Sequence, residues 1–338
     1  MRNICWFALL INISFHAFSQ EIRTIDRSQL PDSLSKDSTL YKYDNNSSYL
    51  YTRPKLGSFL KNTGNNFLTL PFELDKKRNL PSLVAVAALT ALTLYYDEKI
   101  ILASQRFGRY AGIKDDNPTI SLSPLDDIPF YVPASLSSGL YYIGDGITEL
   151  AIDGSFYLFG LIKSDNRALR TSCELSEGIA TVGLYIQILK HMTGRETPMR
   201  RSQERGKWRL FVTVEEYSSS VPSYDAFPSG HLATAMMTVT VISMNYPEYK
   251  FIKPLGYTLM GICGYQMLNN GVHWMSDYPL AIAMGYAIGR SAVNRGRTKV
   301  VNYGGTTMHT SKKIKPAFNI QPVYMGYGAT GVSLSLTF

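Results

Sequence analysis

The strongest constraint on the fold of this chain is a series of apolar segments with helical spacing between residues 80 and 292. Within each segment apolar residues recur every three to four positions, which is the pattern of an amphipathic α-helix. Loop signals separate the segments, including a stretch rich in Pro, Ser and Asp at residues 117–133. We therefore predict an all-α fold, a helical bundle of about six core helices. The predicted helices are Leu80–Tyr96, Leu136–Ile143, Ile147–Ile162, Leu175–His191, His231–Asn245, Leu255–Leu268 and Asp277–Ala292.

The segments on either side of the helices are polar. Residues 21–75 form a polar N-terminal lead-in whose Asp-, Asn- and Ser-rich stretches bury little surface, so we expect them to be extended or disordered. The helical domain covers residues 76–293. Residues 294–338 form a basic linker and a short C-terminal β-hairpin, because apolar and small polar residues alternate from Val332 to Phe338.

The first 20 residues have the composition of a secretory signal peptide. Arg2 supplies a positive start, Trp6 to Ile13 supply a short apolar run, and Ala17 to Gln20 offer a small-residue cleavage region. The apolar run is short for a membrane span, and an uncleaved anchor is the alternative. Both interpretations predict export from the cytoplasm, to the periplasm or cell envelope.

The charge and hydropathy of the chain limit its partners. The 338 residues carry a formal net charge of +8, which favours anionic substrates or surfaces. The basic residues are scattered, so we expect no nucleic-acid partner. Residues 226–247 and 254–276 lack charged residues over a spanning length, but the mean hydropathy of −0.07 is low for a membrane protein with several spans. A membrane-embedded bundle and a soluble or peripherally bound bundle both remain open.

The cysteines point to no metal site. Cys5 lies in the predicted signal peptide, and no cysteine has metal-ligand spacing. A disulfide between Cys173 and Cys263 is permitted in an oxidising compartment. Both residues lie in apolar helical patterns, however, which favours buried free thiols.

The first candidate functional segment is Phe227-Pro228-Ser229-Gly230-His231. Ser229 is a good N-cap for the apolar helix that follows. A helix N-terminus presents free N–H groups and partial positive charge to an anion, and Gly230 allows close approach to the backbone. His231 in the first turn could donate a proton to a leaving alkoxide. The alternative is an ordinary helix cap.

The second segment contains His273 and Asp277. Ser276 is a plausible N-cap for the last helix, with Pro279 in its first turn. A carboxylate on one imidazole nitrogen fixes the tautomer and leaves the other nitrogen as a nucleophile. The alternative is a buried His–Asp pair with a structural role.

The third segment runs from Lys190 to Pro198, where an apolar helix ends in a basic loop that contains Gly194 and Arg195. Lysine and arginine can hold phosphate oxygens and offset charge that develops in a transition state. The alternative is a solvated basic helix end that complements the helix dipole.

Together these segments resemble the type 2 phosphatidic-acid phosphatase (PAP2) family, which shares its fold with the vanadium haloperoxidases. The family's first motif is Lys, six residues, Arg-Pro, and Lys190 and Pro198 match it. The second motif, Pro-Ser-Gly-His, is complete at residues 228–231. The third is Ser-Arg, five residues, His, three residues, Asp, and His273 and Asp277 match it. The resemblance covers roughly residues 80–292.

The resemblance implies a catalytic role for three residues. His273 would attack phosphorus and form a phosphohistidine, Asp277 would orient His273, and His231 would protonate the leaving group. This mechanism uses a side chain as the nucleophile, so it implies no metal and no cofactor.

The resemblance also implies a phosphate cradle, but that cradle is incomplete. Lys190, Ser229 and the Gly230 backbone N–H would hold phosphate oxygens. Thr197 and Met267 stand where the family has arginines. Hydrogen bonds to charged groups contribute about 1.5–3 kcal/mol each, so two lost arginines could cost roughly a thousandfold in rate.

Nearby residues are candidate substitutes for the two arginines. Arg195 lies two residues before Thr197, and we predict that its guanidinium points between His231 and His273 as a phosphate-binding group. Asn269 and Asn270 are candidate neutral donors.

Two classes of function follow from these residues. The first is a phosphatase of the acid-phosphatase or phosphatidate-phosphatase type that hydrolyses a phosphate monoester, lipid-linked or small, on the outer side of the inner membrane. The second is a catalytically impaired relative with a binding or structural role in the cell envelope. The haloperoxidase interpretation is disfavoured, because it also depends on a cationic cradle. The sequence indicates neither the substrate nor the oligomeric state.

Overall fold

The computed structural model describes residues 22–31, 34–55, 57–74, 79–121, 131–302, 317–325 and 329–337. The predicted signal peptide lies outside these residues. The chain divides into two compact units, one of residues 18–303 and one that contains the C-terminal strands.

The first unit is a helical bundle, as the apolar periodicity predicted. Nine α-helices lie in the part of the chain that the structure describes. They are α1 (Ser58–Leu74), α2 (Leu80–Ala111), α3 (Leu136–Tyr142), α4 (Gly146–Lys163), α5 (Asn166–Thr193), α6 (Val214–Ser219), α7 (Gly230–Asn245), α8 (Ile252–Asn269) and α9 (Tyr278–Gly296).

Helix α7 lies in the core and packs closely against α9 and α5. A Cβ atom added to Gly285 of α9 would lie 2.1 Å from the Ala233 carbonyl oxygen of α7, and one added to Gly178 of α5 would lie 2.3 Å from the Met237 sulfur. The absence of side chains at these glycines allows the helices to approach each other closely. This packing brings the C-terminus of α5, the N-terminus of α7 and the segment before α9 to one end of the bundle.

Two helices are longer than the sequence predicted. Helix α5 begins at Asn166 rather than Leu175, because Asp165 caps it by accepting hydrogen bonds from two backbone N–H groups. Helix α2 continues to Ala111, so the prediction that it ends at the charged residues 97–99 is wrong. Asp97 is completely buried and forms hydrogen bonds, so its charge does not end the helix.

The polar lead-in is more ordered than its composition predicted. It supplies helix α1 and strands β1 (Arg23–Asp26), β2 (Ser38–Lys42) and β3 (Ser47–Thr52). With β6 (Arg297–Val301) these strands form a sheet of order β1-β6-β3-β2, in which β1 is parallel to β6 and the other pairs are antiparallel. The sheet is tied to the bundle by Tyr51, which is buried and donates a hydrogen bond to the last residue of α7, at the Asn245 carbonyl (3.2 Å).

The remaining strands form two antiparallel ribbons. Strand β4 (Thr119–Ser121) pairs with β5 (Tyr131–Pro133) inside the segment predicted as a loop. In the second unit, β7 (Ala317–Met325) pairs with β8 (Ala329–Thr337).

Several helices expose apolar side chains. Among the described residues α2 is the one helix that is long and apolar enough to cross a membrane, judged by length and composition alone. Its Leu92 and Tyr95 side chains are 56% and 62% exposed, and Leu158 of α4 is 58% exposed. Apolar surface on the bundle is therefore not confined to one helix.

Candidate active site

The three motif segments meet at one end of the bundle. The imidazole centroids of His231 and His273 lie 6.4 Å apart. A Cβ atom added to Gly230 would lie 3.9 Å from the Lys190 Nζ atom. The Ser229 backbone N–H donates to the carbonyl of Asp277 (3.1 Å). The structure therefore brings the predicted site residues together, with Arg195 in contact with Asp277 rather than facing the histidines, while their chemical roles stay predictions.

His273 is held with one ring nitrogen directed away from its partners. The side chain is 1% exposed, and its Nδ1 lies 2.7 Å from the Ala226 carbonyl oxygen and 3.4 Å from Asp277 Oδ2. Both partners are acceptors, so we assign the proton to Nδ1. Nε2 then carries the lone pair that a nucleophile needs.

The Asp277 carboxylate is buried and has partners on both oxygens. Oδ2 accepts a hydrogen bond from the Trp274 backbone N–H (2.7 Å), and Oδ1 accepts one from Arg195 (2.5 Å). The prediction that Ser276 caps the last helix is wrong, because a short 3-10 turn, Met275–Asp277, precedes α9. Pro279 lies in the first turn of α9 as predicted.

Arg195 differs most from its predicted position. Its guanidinium is fully buried and all five of its N–H donors have acceptors, which are Ser276 Oγ, Asp277 Oδ1, Asp97 Oδ2 and twice the Arg205 carbonyl. No donor is left for a phosphate oxygen. Arg195 therefore does not have the position that a substitute phosphate clamp requires, and its contacts are those of a residue that positions Asp277.

Asp97 of α2 completes this buried network and was missed in the sequence. Its Oδ2 accepts from Arg195 (2.8 Å) and from Ser276 Oγ (2.5 Å), and its Oδ1 accepts from the Ser276 backbone N–H (3.0 Å). The next residue, Glu98, accepts a hydrogen bond from the Arg205 backbone N–H (2.9 Å). One turn of α2 thus fixes the loops that carry the first and third motifs. The sequence feature that could have revealed Asp97 as a buried helical residue is the run of apolar residues that resumes directly after residues 97–99.

One ring nitrogen of His231 has no hydrogen-bond partner in the part of the chain that the structure describes. Its Nε2 is buried, forms no hydrogen bond with the described residues and lies 3.8 Å from Asp145 Oδ2. The ring packs on Tyr141 at a centroid distance of 4.5 Å. Burial, followed by the proximity of His273 and Lys190, lowers the His231 pKa to about 3. The imidazole is therefore neutral at neutral pH.

Lys190 is paired with a carboxylate that the sequence analysis did not single out. Its Nζ lies 2.6 Å from Asp225 Oδ1, and the lysine side chain is 8% exposed. The Tyr217 hydroxyl also donates to Asp225 Oδ1. Asp225 lies two residues before the start of the Phe227-to-His231 segment, and a single aspartate there carries no recognisable motif.

The residues at the two positions where the PAP2 motifs have arginine contact groups other than the histidines. The Thr197 hydroxyl donates to the Pro222 carbonyl (2.9 Å). Met267 is fully buried, with its sulfur 4.0 Å from Ser229 Oγ, and a thioether has no proton to donate. The side-chain amide of Asn269 donates to the Lys114 carbonyl (3.0 Å), away from the histidines.

The N-terminus of α7 provides the remaining anion-binding groups. Ser229 is its N-cap as predicted, and its Oγ accepts from the Leu232 backbone N–H at 3.5 Å. The N–H groups of Gly230 and His231 have no acceptor among the described residues, as expected in the first turn of a helix. They offer two donors beside Lys190.

Metal-ligand clusters, cysteines and cavities were compared with the motif residues in the described parts of the chain. No group of three or more His, Cys, Asp or Glu residues there has the geometry of a metal site. Cys173 and Cys263 are free thiols, and Cys263 is buried. A cavity of about 540 Å³ is lined by the segment that follows β3 and by helices α4 and α5. It contains none of the motif residues.

Comparison with known proteins agrees with the resemblance seen in the sequence. Residues 172–299 match the family model of the PAP2 superfamily, a segment that contains all three motifs. The chain is thus confirmed as similar to that superfamily over this segment. The crystal structure of Aquifex aeolicus LpxE is 20% identical in sequence, covers 46% of this chain and 82% of its own, and has a TM-score of 0.35. No curated protein matches the chain.

Proposed function

We propose that the chain is a phosphatase that hydrolyses a phosphate monoester through a phosphohistidine on His273. The observation that carries the proposal is the pair of neighbouring imidazoles, whose planes are inclined at 71°. Neither His273 Nε2 nor His231 Nε2 has a hydrogen-bond partner among the described residues, and the two rings lie 6.4 Å apart beside the N-terminus of α7. The match to the PAP2 superfamily supports the same chemistry.

The proposed mechanism accounts for each proton and each bond. His273 Nε2 attacks phosphorus, the bond from phosphorus to the ester oxygen breaks, and protonated His231 gives its proton to the departing alkoxide. A water molecule then attacks the phosphohistidine, His231 takes a proton from that water, and phosphate leaves. Asp277 stabilises the Nδ1–H of His273 in both steps, since the ring becomes positively charged when Nε2 is phosphorylated.

His231 must gain a proton before the first step. Burial lowers its pKa to about 3. The negative charge of a phosphate between the two imidazoles acts in the opposite direction, because an anion within about 4–6 Å stabilises imidazolium. The charge of Asp225 acts on the His231 pKa in the same direction as the phosphate. Substrate binding and protonation of His231 are therefore coupled.

The cellular setting is part of the proposal. The signal-like residues 1–20 support export to the cell envelope, and the exposed apolar side chains of α2 and α4 support association with a membrane. A lipid-linked phosphate monoester is compatible with this setting, and so is a small phosphate ester.

A non-catalytic envelope protein is the second candidate. Three observations favour it: both arginine positions are occupied by other residues, Arg195 has no free donor, and Lys190 is paired with Asp225. The intact pair of histidines favours the enzyme, because packing alone does not explain a buried His231 nitrogen without a partner.

The test is phosphate release from an aryl phosphate and from a lipid phosphate, together with trapping of the ³²P-labelled protein. The comparison is wild type against His273→Ala, with His191→Ala as the matched control. His191 Nδ1 lies 3.0 Å from the Val212 carbonyl oxygen, and His191 is not one of the proposed catalytic residues. Wild type and His191→Ala should release phosphate and carry the label, and His273→Ala should do neither. If wild type releases no more phosphate than His273→Ala on any substrate, the result would favour the non-catalytic alternative.

A further inference from the structure

The Lys190–Asp225 pair changes the charge of the candidate site. Lys190 is the cation that approaches the N-terminus of α7, and its Nζ lies 2.6 Å from Asp225 Oδ1. An ion pair at this distance largely cancels the field of the lysine. The positive charge expected from the first motif is therefore offset inside the site.

Asp225 is held in place from several sides. The Tyr217 hydroxyl of α6 donates to its Oδ1. Burial, followed by the charge of Asp225, raises the Tyr217 pKa, so the phenol keeps the proton that it donates. The backbone of Asp225 forms a parallel bridge with Arg195, and the next residue donates from its N–H to the Arg195 carbonyl (3.0 Å).

The titratable groups around Asp225 come from four helices. Lys190 of α5 and Tyr217 of α6 are in direct contact with it. His231 of α7 and Tyr141 of α3 lie within electrostatic reach of its carboxylate. Within this set Lys190 is the basic side chain that contacts the Asp225 carboxylate.

The other charges at the site do not restore a positive field. Arg195 uses all its donors within its own network. Asp145 adds a carboxylate 3.8 Å from His231 Nε2. The two former arginine positions carry Thr197 and Met267, which have no charge. A phosphate here would lie near one lysine and the N-terminus of α7, and also near the carboxylates of Asp225 and Asp145.

We infer that Asp225 is a specificity-determining residue, which makes the site select phosphate groups with a single negative charge and reject those with two. Its role in turnover rests on the proposed function, whereas the selection itself is a property of binding. A monoester in its protonated form and a phosphodiester both carry one charge. The second pKa of a phosphate monoester is about 6, so a monoester has one charge in acid and two at alkaline pH.

The experiment measures binding of two small probes to the full chain by isothermal titration calorimetry. Dimethyl phosphate keeps one charge at every pH used, and methyl phosphate gains its second charge near pH 6. At pH 8 wild type should bind dimethyl phosphate about tenfold more tightly than methyl phosphate, and at pH 5 the two should bind about equally. A like charge within about 4–6 Å shifts such equilibria by roughly 1–3 pKa units, each of which is tenfold.

Asp225→Asn removes the negative charge and keeps the shape of the side chain. At pH 8 this change should shift the affinity ratio of the two probes towards methyl phosphate by about tenfold or more. Asp37→Asn is the matched control, because it makes the same change in net charge at an exposed turn. That turn lies near the first residue of α5, about 36 Å along the helix from Lys190. Asp37→Asn should keep the wild-type ratio.

The outcomes separate this inference from the proposed function. The inference is overturned if wild type and Asp225→Asn have the same ratio of affinities for the two probes. It is also overturned if neither protein binds either probe. The wild-type comparison between pH 5 and pH 8 needs no variant, so it stands even if Asp225→Asn does not fold. Selective binding without phosphate release above the His273→Ala level would keep the charge selection and refute the phosphatase.

Discussion

Replacing Arg195 with methionine should destabilise the protein strongly, although no phosphate contact is lost. Arg195, Asp97 and Asp277 are all fully buried, and the guanidinium lies 2.8 Å and 2.5 Å from the two carboxylates. Methionine has a similar length and is apolar, so it fills space without offering a donor. Arg195→Met therefore leaves two buried carboxylates without their cation.

The magnitude follows from the contacts. Removal of one partner from a buried ion pair costs about 3–5 kcal/mol. Two lost hydrogen bonds to charged acceptors, at about 1.5–3 kcal/mol each, give a similar total. We expect the free energy of unfolding to fall by about 3–5 kcal/mol at pH 8. The double variant Arg195→Met/Asp97→Asn should be about 1–2 kcal/mol more stable than Arg195→Met alone, because it no longer buries the unpaired charge of Asp97.

The assay is urea unfolding followed by circular dichroism at pH 4 and at pH 8. Burial raises the pKa of Asp97 above its ordinary value, and Arg195 is the cation that opposes this shift. A group with a raised folded-state pKa contributes its full stability below the unfolded pKa and loses it as pH rises through the folded pKa. The difference between variant and wild type should therefore be larger at pH 8 than at pH 4.

Arg201→Met provides the matched control. The Arg201 side chain is 37% exposed, and its guanidinium lies 3.6 Å from the carboxylate of Glu98, the residue that follows Asp97. Arg201→Met therefore also removes a guanidinium from an ion pair, but from one at the surface. Such pairs contribute about 0–1 kcal/mol. Equal destabilisation by Arg195→Met and Arg201→Met, or a loss that does not change with pH, would refute the assignment of Arg195 as the residue that neutralises this buried cluster.

Two further predictions concern the pH dependence and the packing of the bundle. The pKa of His231 is lowered to about 3, so its contribution to stability is complete above pH 6.5 and is lost as pH falls towards 3. In this pH range His231→Gln should reduce the slope of the free energy of unfolding against pH by about 1.4 kcal/mol per pH unit. Equal slopes for variant and wild type would contradict this. Gly285→Ala should cost about 1–3 kcal/mol or more, because its Cβ would lie 2.1 Å from the Ala233 carbonyl oxygen. The control Gly183→Ala meets nothing within 4 Å on an exposed helix face and should stabilise by about 0.5–1 kcal/mol, as thermal melting can show.

The sequence predicted those features that depend on local pattern. Apolar periodicity identified the core helices, and Ser229 was recognised as an N-cap, because both signals lie within a few residues of the structure they specify. The gathering of Lys190, His231 and His273 was predicted by the resemblance, which links segments that lie far apart in the chain.

Features that depend on distant partners were missed or misjudged. Asp97 looked like the end of a helix, since nothing nearby shows that its partner Ser276 lies 179 residues further along the chain. Arg195 looked available for phosphate for the same reason. Asp225 offsets the expected positive charge of the site through a 2.6 Å contact with Lys190. No local sequence pattern predicts this contact.

The contacts of α2 determine how much of the chain a usable fragment must contain. The segment that matches the PAP2 superfamily begins at residue 172, whereas Asp97 lies 75 residues earlier. An expression fragment cut at the family boundary would keep every motif residue and lose the carboxylate that shares Arg195 with Asp277. The smallest piece that retains the geometry of His273 therefore begins before α2, and truncation at residue 172 removes part of the active-site support along with the apparently accessory N-terminal half.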